Sequence, residues 1–229
     1  SEAVVKEGAD LGISVDPDVD RLAFICEDGS FFGEEYTLVS VADYVLSNKK
    51  GSAVSNLSSS RALRDVTEKY GCSYTSSAVG EVNVTTEMRR TGAVIGGEGN
   101  GGVIVSDLHY GRDALIGTAL FLSNLAHKRV KVSELRASYP QYVISKNRIE
   151  LSDSELIGKI FSEVKKQFSG ERITTIDGVK IDFDADRMWV HLRRSNTEPI
   201  IRIYSEAPTL EQAEKLAGRI KDVANRIIG

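Results

Sequence analysis

Short apolar runs alternate with helical patterns over residues 31–140 of this 229-residue chain, and this alternation limits the possible folds more than any other feature. Helices are predicted at residues 35–47, 61–70, 82–90 and 113–127, and strands at residues 53–56, 73–76 and 93–96. Strands that alternate with helices in this way are typical of α/β layered domains. Residues 31–140 therefore predict an α/β domain with a mixed, largely parallel sheet, ended by a short helix and Pro140.

The segments on either side of that domain have a different order of elements. Residues 1–30 hold two strands, 11–15 and 22–26, which indicate the end of a similar domain. Residues 141–229 predict an antiparallel α+β C-terminal domain, in which two helices each begin with a capping box, Ser152 to Glu155 and Thr209 to Gln212. Its predicted strands are 142–150, 172–176, 179–183, 188–193 and 200–206, and its first helix is 152–168.

Composition excludes several classes of protein. The chain has 29 basic and 33 acidic residues and a formal net charge of -4, so it offers no overall basic surface for nucleic acid, and an anionic ligand would need a local basic pocket. No apolar run approaches the ~20 residues that span a bilayer, which predicts no membrane segment. Cys26 and Cys72 are the two cysteines, and neither lies in a disulfide-rich pattern, which favours a reduced, cytoplasmic setting.

An acidic loop lies between the first two predicted strands. Asp16, Asp18 and Asp20 alternate with other residues, so their oxygens could converge on one hard cation such as Mg²⁺. An EF-hand is excluded because Arg21 stands where the sharp turn of that loop requires glycine. The alternative is a solvated acidic turn, but three carboxylates between two core strands repel one another unless a cation compensates them.

A glycine-rich loop covers residues 96–102 and leads into an apolar run. Its five glycines allow the backbone to approach a ligand closely, and Glu98 and Asn100 are the side chains there that could hydrogen-bond a hydroxyl-rich ligand. A dinucleotide site is excluded because the loop leads into Val-Ile-Val rather than a helix. A flexible hairpin is the alternative interpretation of the loop.

A third loop, residues 193–202, joins two predicted strands. Arg193 and Arg202 stand at its ends, and Ser195, Asn196 and Thr197 add hydroxyl and amide groups between them. Guanidinium groups bind phosphate in a bidentate manner, so the pattern fits a phosphate cradle. An ordinary polar turn beside a strand arginine would show the same charge pattern.

Taken in order, the three loops resemble the motifs of the α-D-phosphohexomutase family. The motifs are Asp16-x-Asp18-x-Asp20-Arg21, Gly97-Glu98-Gly99-Asn100-Gly101-Gly102 and Arg193-x-Ser195-Asn196-Thr197-Glu198-Pro199-x-x-Arg202. The resemblance spans the chain and implies the end of the family's domain 2 (residues 1–30), then domain 3 (31–140), then domain 4 (141–229). Within the family the chain most resembles phosphoglucosamine mutases of the archaeal type.

The resemblance implies an isomerase that moves a phosphoryl group between O6 and O1 of a hexose or hexosamine phosphate. It implies Mg²⁺ as cofactor, a sugar 1,6-bisphosphate as intermediate and activator, and an enzyme phosphoserine. The resemblance implies that Asp16, Asp18 and Asp20 bind Mg²⁺ and that Arg21 contacts the transferring phosphoryl group. It implies sugar binding by Glu98 and Asn100. The implied phosphate-binding residues are Arg193, Ser195, Asn196, Thr197 and Arg202. His109 and Arg112 are further candidates to line the site. Many members carry a histidine where this chain has Gly102.

These residues contain no match to the family's serine loop, Thr-Ala-Ser-His-Asn-Pro. We therefore expect a sequence cut from a longer protein, whose N-terminal domains would be its partner along with the phosphosugar. We also expect the 229 residues alone to be inactive. The alternatives are a non-catalytic phosphosugar-binding module and a Mg-dependent sugar phosphatase that uses the acidic loop.

Overall fold

The structure, a computed structural model, describes residues 1–151, 153, 155–195 and 198–229. The chain divides into two compact units, Ser1–Gln141 and Tyr142–Gly229, called unit 1 and unit 2 below. The predicted fold class is confirmed, since a mixed α/β sheet is followed by an antiparallel sheet with helices. Residues 1–30 lie in the same compact unit as the α/β domain, and the predicted boundary near residue 30 stays a prediction.

Unit 1 contains a hairpin and a four-stranded sheet. Its strands are β1 (Leu11–Val15), β2 (Leu22–Cys26), β3 (Ala53–Asn56), β4 (Tyr74–Ser77), β5 (Ile95–Glu98) and β6 (Gly102–Val105). Its helices are α1 (Glu2–Glu7), α2 (Glu34–Asn48), α3 (Ala62–Lys69), α4 (Glu81–Thr91), α5 (Ala114–Lys128) and α6 (Val132–Ala137). The sheet order is β4-β3-β5-β6, with β4, β3 and β5 parallel and β6 antiparallel, while β1 and β2 form the hairpin. Helix α1 was not predicted.

Three aromatic rings fix the hairpin to the α/β domain. Phe24 of β2 stacks on Phe121 of α5 at a centroid distance of 3.7 Å, and Phe32 packs edge-on against both rings. All three side chains are fully buried. Since aromatic rings bury large apolar areas, this cluster attaches β2, and with it the acidic loop, to the helix that begins after the glycine-rich loop.

Unit 2 is a five-stranded antiparallel sheet with two helices. Its elements are β7 (Val143–Glu150), α7 (Leu156–Gln167), β8 (Arg172–Thr174), β9 (Val179–Phe183), β10 (Met188–Arg194), β11 (Ile200–Ala207) and α8 (Leu210–Ile228). The strand order is β7-β11-β10-β9-β8. Alternate apolar side chains of the strands pack with both helices in one buried core, so the other face of the sheet carries most of the polar residues, together with buried Trp189.

The two predicted capping boxes have different outcomes. Thr209 accepts a hydrogen bond from the amide of Gln212 at 3.2 Å, as predicted for the start of α8. Ser152 lies outside the described residues, and the prediction that the first helix of unit 2 starts at residue 152 is wrong. Asp153 accepts a hydrogen bond from the amide of Glu155 at 2.8 Å, which forms a turn ahead of the helix, and α7 begins only at Leu156.

None of the helices in the described ranges is long and apolar enough to span a bilayer.

His191, on β10, is the most deeply buried of the three histidines. It is 1% exposed, and its ring Nε2 lies 2.6 Å from the carbonyl oxygen of Asp177, to which it donates a hydrogen bond. Burial disfavours the charged imidazolium and lowers the pKa of His191 from its ordinary 6.5 to about 4, although the Asp177 carbonyl opposes that effect. The neutral ring is therefore part of the folded structure.

We predict that His191 makes the fold less stable in mild acid. Between pH 6.5 and 4 the unfolded chain binds a proton at His191 that the folded chain does not. As the pH decreases from 6.5 to 4, the free energy of unfolding of the wild type should therefore decrease by up to about 3 kcal/mol more than that of His191→Gln. Above pH 6.5 the two proteins should show no pH-dependent difference. Urea unfolding at several pH values measures this effect, and the same change at exposed His127 is the control. Parallel pH curves for wild type and His191→Gln would contradict the prediction.

Candidate functional site

The acidic loop connects β1 and β2, whose pairing brings Val15 opposite Leu22. Val19 in the loop has a φ of 55°, a left-handed conformation that is strained for a β-branched residue. Its carbonyl accepts a hydrogen bond from the amide of Ala114, the first residue of α5, at 3.1 Å. Strained backbone of this kind persists only where surrounding contacts hold it, and it is found often at functional sites. The loop is thus fixed against the start of α5.

Asp16 and Arg21 close the acidic loop on itself. Asp16 accepts hydrogen bonds from the amides of Asp20 and Arg21, and its other oxygen pairs with the Arg21 Nε at 2.7 Å. Burial alone would raise the pKa of Asp16, but the bonds from Arg21 outweigh it and lower the pKa to about 2. The Arg21 guanidinium is half exposed, so it can still face a ligand.

Asp20 is the member of the loop that reaches the rest of the site. It forms an ion pair with Arg112, and its Oδ1 is buried and accepts no hydrogen bond within the described part of the chain. Burial is the largest effect that raises the pKa of Asp20; Arg112 opposes it, and the nearby Asp16 carboxyl adds to it. Two carboxyls are therefore held close together and compensated by guanidinium groups.

The three aspartates do not converge as the sequence predicted. Among the described residues, no group of three or more His, Cys, Asp or Glu side chains is arranged to hold a metal ion. Asp16 and Asp20 instead turn towards Arg21 and Arg112, which supply the positive charge, and Asp18 is exposed. The residues nevertheless fit Mg²⁺ in kind, since they are hard oxygen donors and the Asp20 Oδ1 accepts no hydrogen bond from any described residue.

The glycine-rich loop is a tight hairpin that is buried except near its tip. Strands β5 and β6 pair antiparallel with Glu98 opposite Gly102, and the turn between them is three residues long. Gly101 has a φ of 88°, and its carbonyl accepts a hydrogen bond from the amide of Leu22 at 3.1 Å. A Cβ at Gly101 would lie 2.2 Å from the Leu22 carbonyl oxygen, so only glycine allows this contact with β2.

The two predicted sugar-binding side chains lie in different environments. Glu98 is 5% exposed, and one of its oxygens accepts from the Asn56 side chain at 2.8 Å and from the Gly80 amide at 3.0 Å. Asn100 is exposed, and its side-chain oxygen accepts from the Gly102 amide at 3.2 Å. Asn100 is thus accessible to a ligand, while Glu98 is held at the end of β5.

Arg112 joins the acidic loop to the glycine-rich loop. Besides its ion pair with Asp20, its Nη1 donates to the second Glu98 oxygen at 2.9 Å and its Nε lies 3.3 Å from Glu81. Its backbone amide also donates to Glu81 at 3.0 Å. One guanidinium therefore compensates carboxylates from three separate segments of unit 1. The sequence pointed to Arg112 only as a candidate in a loop, and it gave no signal for Glu81.

His109, the other candidate in that loop, contacts a different part of unit 1. Its Nε2 lies 3.1 Å from Asp113, whose side chain caps α5 by accepting from the amides of Leu115 and Ile116. Burial would raise the pKa of Asp113, but the helix amides and His109 lower it overall. In this structure His109 supports a helix cap, whereas Arg112 supports the two loops.

The predicted phosphate loop lies in unit 2, between β10 and β11. Arg193 pairs with Asp177 at 2.9 Å, and Arg202 lies 4.0 Å from Glu198. Ser195 is 6% exposed, and its amide donates to the Ile200 carbonyl at 3.0 Å, which closes the loop. Arg193 and Arg202 are directly opposite each other on paired strands. The predictions for Asn196 and Thr197 fall outside the described residues.

Two family models match the chain in succession. Residues 33–142 match "Phosphoglucomutase/phosphomannomutase, alpha/beta/alpha domain III", and residues 146–223 match "Phosphoglucomutase/phosphomannomutase, C-terminal domain". A phosphoglucomutase/phosphomannomutase of Thermococcus kodakarensis is 38% identical over 93% of this chain and 47% of its own length. A probable phosphoglucosamine mutase of Methanopyrus kandleri is 33% identical over 96% and 49%. The chain thus spans about half the length of the curated relatives it matches.

Solved structures share the fold. A phosphoglucomutase/phosphomannomutase family protein of Burkholderia thailandensis superposes with a TM-score of 0.80 at 27% identity, over 99% of this chain and 48% of that one. An Aspergillus fumigatus N-acetylphosphoglucosamine mutase, solved with GlcNAc-6P and magnesium, gives 0.68 at 16% identity, over 92% and 51%. A serine-to-alanine variant of that enzyme, solved in complex with glucose 1,6-bisphosphate, gives a TM-score of 0.63 at 17% identity, over 99% of this chain and 51% of that one.

We predict that the Arg112 ion pairs stabilise unit 1. Arg112→Leu leaves the buried Glu98 carboxylate without a cationic partner, so the free energy of unfolding should fall by about 2–3 kcal/mol. Adding Glu98→Gln should recover part of this loss, because the uncompensated charge is then gone. Urea denaturation measures both effects.

The matched control is Arg90→Leu, which removes an exposed pair with Glu87 and should cost less than about 1 kcal/mol. An equal decrease in the free energy of unfolding for Arg112→Leu and Arg90→Leu would contradict the prediction that the buried pair contributes more to stability.

Proposed function

Since the chain belongs to the phosphoglucomutase/phosphomannomutase family, we propose that it binds and orients a hexose or hexosamine phosphate while a phosphoryl group moves between O6 and O1 of the sugar. The observation that carries this proposal is the shared contact of Asp20 and Glu98 with Arg112. It holds the acidic loop, which would meet the reacting phosphoryl group, next to the hairpin that would meet the sugar. Such positioning and charge compensation are the main demands of phosphoryl transfer.

The acidic loop would work on the phosphoryl group. Asp16, Asp18 and Asp20 would hold Mg²⁺, which when bound neutralises charge on phosphate oxygens. The half-exposed Arg21 guanidinium would bind the phosphoryl group as it transfers, because its fork suits two phosphate oxygens. The strained Val19 backbone supports this assignment, because such strain persists only where surrounding contacts hold a loop in one conformation.

The glycine-rich hairpin would select the sugar. Exposed Asn100 would donate to and accept from sugar hydroxyls, and the adjacent backbone has no side chains to keep a ligand away. Glu98 would offer a carboxylate oxygen to a hydroxyl from a position that its three donors already fix. A preorganised acceptor of this kind loses little conformational entropy when a ligand binds.

In unit 2 the phosphate loop would hold the phosphate that is not reacting. Arg193, Ser195, Asn196, Thr197 and Arg202 would supply guanidinium, hydroxyl and amide donors. A bisphosphorylated intermediate could then turn over and present its other end, with the phosphoserine supplied by a part of the protein outside these residues. The mutase names of the relatives that match both halves of the chain support this role.

We predict that the chain binds glucose 6-phosphate and that Arg193 is needed for this binding. Arg193→Gln removes charge-assisted hydrogen bonds, so the dissociation constant should rise about ten- to a hundred-fold. Isothermal titration calorimetry measures the change, with thermal melting to check that the variant folds. Arg226→Gln on the exposed side of α8 is the control with the same loss of charge. Equal affinities for wild type and Arg193→Gln would exclude the phosphate loop as the binding site.

We predict that the 229 residues do not isomerise the sugar phosphate they bind. A coupled assay with glucose 1-phosphate, glucose 1,6-bisphosphate and Mg²⁺ should give no glucose 6-phosphate above background, because no phosphoserine loop is present in the sequence. Turnover that disappears in Arg193→Gln would show that these residues suffice for catalysis. Release of inorganic phosphate from the same substrates would instead support the sugar phosphatase.

A further inference from the structure

Three arginines form a row across the outer face of the sheet in unit 2. Arg148 on β7 lies directly opposite Arg202 on β11, and Arg202 lies directly opposite Arg193 on β10. Their strand neighbours Ile149, Ile201 and Leu192 are buried in the helical core, so the arginines point to the other face. Paired residues of this kind have Cβ atoms about 5 Å apart, which places three guanidinium groups within reach of one another.

The three arginines of the row differ in how well nearby carboxylates compensate them. Arg193 has a close carboxylate partner in Asp177, at 2.9 Å. The partner of Arg148 is Glu150 at 3.0 Å, but both side chains are mostly exposed, at 65% and 73%, so solvent screens that pair. The Arg202 Nη2 is farther from its carboxylate partner, at 4.0 Å from the Glu198 Oε2. Like charges directly opposite each other destabilise a sheet. An anion bound between the arginines would reduce this repulsion.

A cavity of about 520 Å³ opens at one end of this row. Arg148 and Arg202 line it together with two lysines: Lys146, whose ammonium lies 5.9 Å from the Tyr204 ring, and Lys221, which donates to Asn147 at 2.6 Å. Glu198 is the one acidic side chain among the described residues that line it. The volume suits a small phosphorylated ligand, and four cations outnumber Glu198 and the Glu150 that pairs with Arg148, which favours an anion.

We propose that Arg148 is a phosphate-binding residue, and that this cavity is a subsite for the phosphomonoester of the sugar phosphate, contiguous with the phosphate loop through Arg202. The proposal rests on the proposed function, because Arg202 belongs to both. Two guanidinium forks on adjacent strands can each bind different oxygens of one phosphate dianion. The sequence gave no signal for Arg148, since it lies 45 residues before Arg193 and outside the loop motif.

The test compares Arg148→Gln, Arg148→Lys and Arg226→Gln in the full 229-residue chain. Titration calorimetry with glucose 6-phosphate and with inorganic phosphate gives the affinities, and thermal melting in phosphate-free buffer gives the stability. We expect Arg148→Gln to weaken binding of both ligands about five- to twenty-fold and Arg148→Lys to weaken it less, because lysine keeps the charge but not the fork. Arg226→Gln should bind as the wild type does. The melting temperature of Arg148→Gln without phosphate should equal or exceed that of the wild type, because a like charge leaves the row.

Two results would overturn the assignment of Arg148 and leave the proposed function intact. One is an unchanged affinity in Arg148→Gln while Arg193→Gln binds weakly. The other is an equal loss in Arg148→Gln and Arg226→Gln, which would mean that only net charge matters. A wild-type chain that binds neither ligand would overturn the proposed function, and the assignment of Arg148 with it.

Discussion

The guanidinium of Arg112 meets the carboxylate of Glu98 at 2.9 Å, in a place where Glu98 is 5% exposed. A carboxylate buried this far costs several kcal/mol of free energy unless donors and a cation surround it. Unit 1 supplies those donors from the end of β3, through Asn56, and from the residue before α4, through Gly80. The positions of a strand end, a helix start and the hairpin are therefore linked to one buried charge. Arg112 extends the link to the acidic loop through Asp20.

The absence of a side chain at Gly102 is part of the same arrangement. A Cβ there would lie 2.3 Å from the Arg112 Cδ, so a larger residue would push the arginine away from Glu98. Gly102 also pairs with Arg21 across an isolated bridge, which brings the backbone of the acidic loop against the hairpin. The glycine content of the hairpin thus has two effects on the fold. It lets the backbone of β2 come close, and it gives one long cationic side chain room to lie along the loop.

Most elements could be predicted from the sequence, because each depends on a short periodic pattern. Strands β3 and β9 have the predicted bounds, and α2 differs by one residue at each end. The acidic loop lies between two strands as predicted, whereas most of the predicted glycine-rich loop, residues 96–102, belongs to β5 and β6. Contacts that join distant segments left no such local signal. Glu81, Asn56 and the Arg112 link belong to this group, because their partners are decided only when the sheet forms.

The two units differ in what their arginines lie next to, and this difference bears on function. In unit 1, Arg112 and Arg21 lie close to carboxylates, so ion pairs join the acidic loop to the hairpin. In unit 2, arginines stand opposite arginines on adjacent strands, and the carboxylates near Arg148 and Arg202 are exposed or distant. The packing of the sheet's other face against the helices does not require arginine to stand opposite arginine on this face. A phosphate dianion would relieve the repulsion that the row creates, so the energy lost in the free protein would return as binding energy.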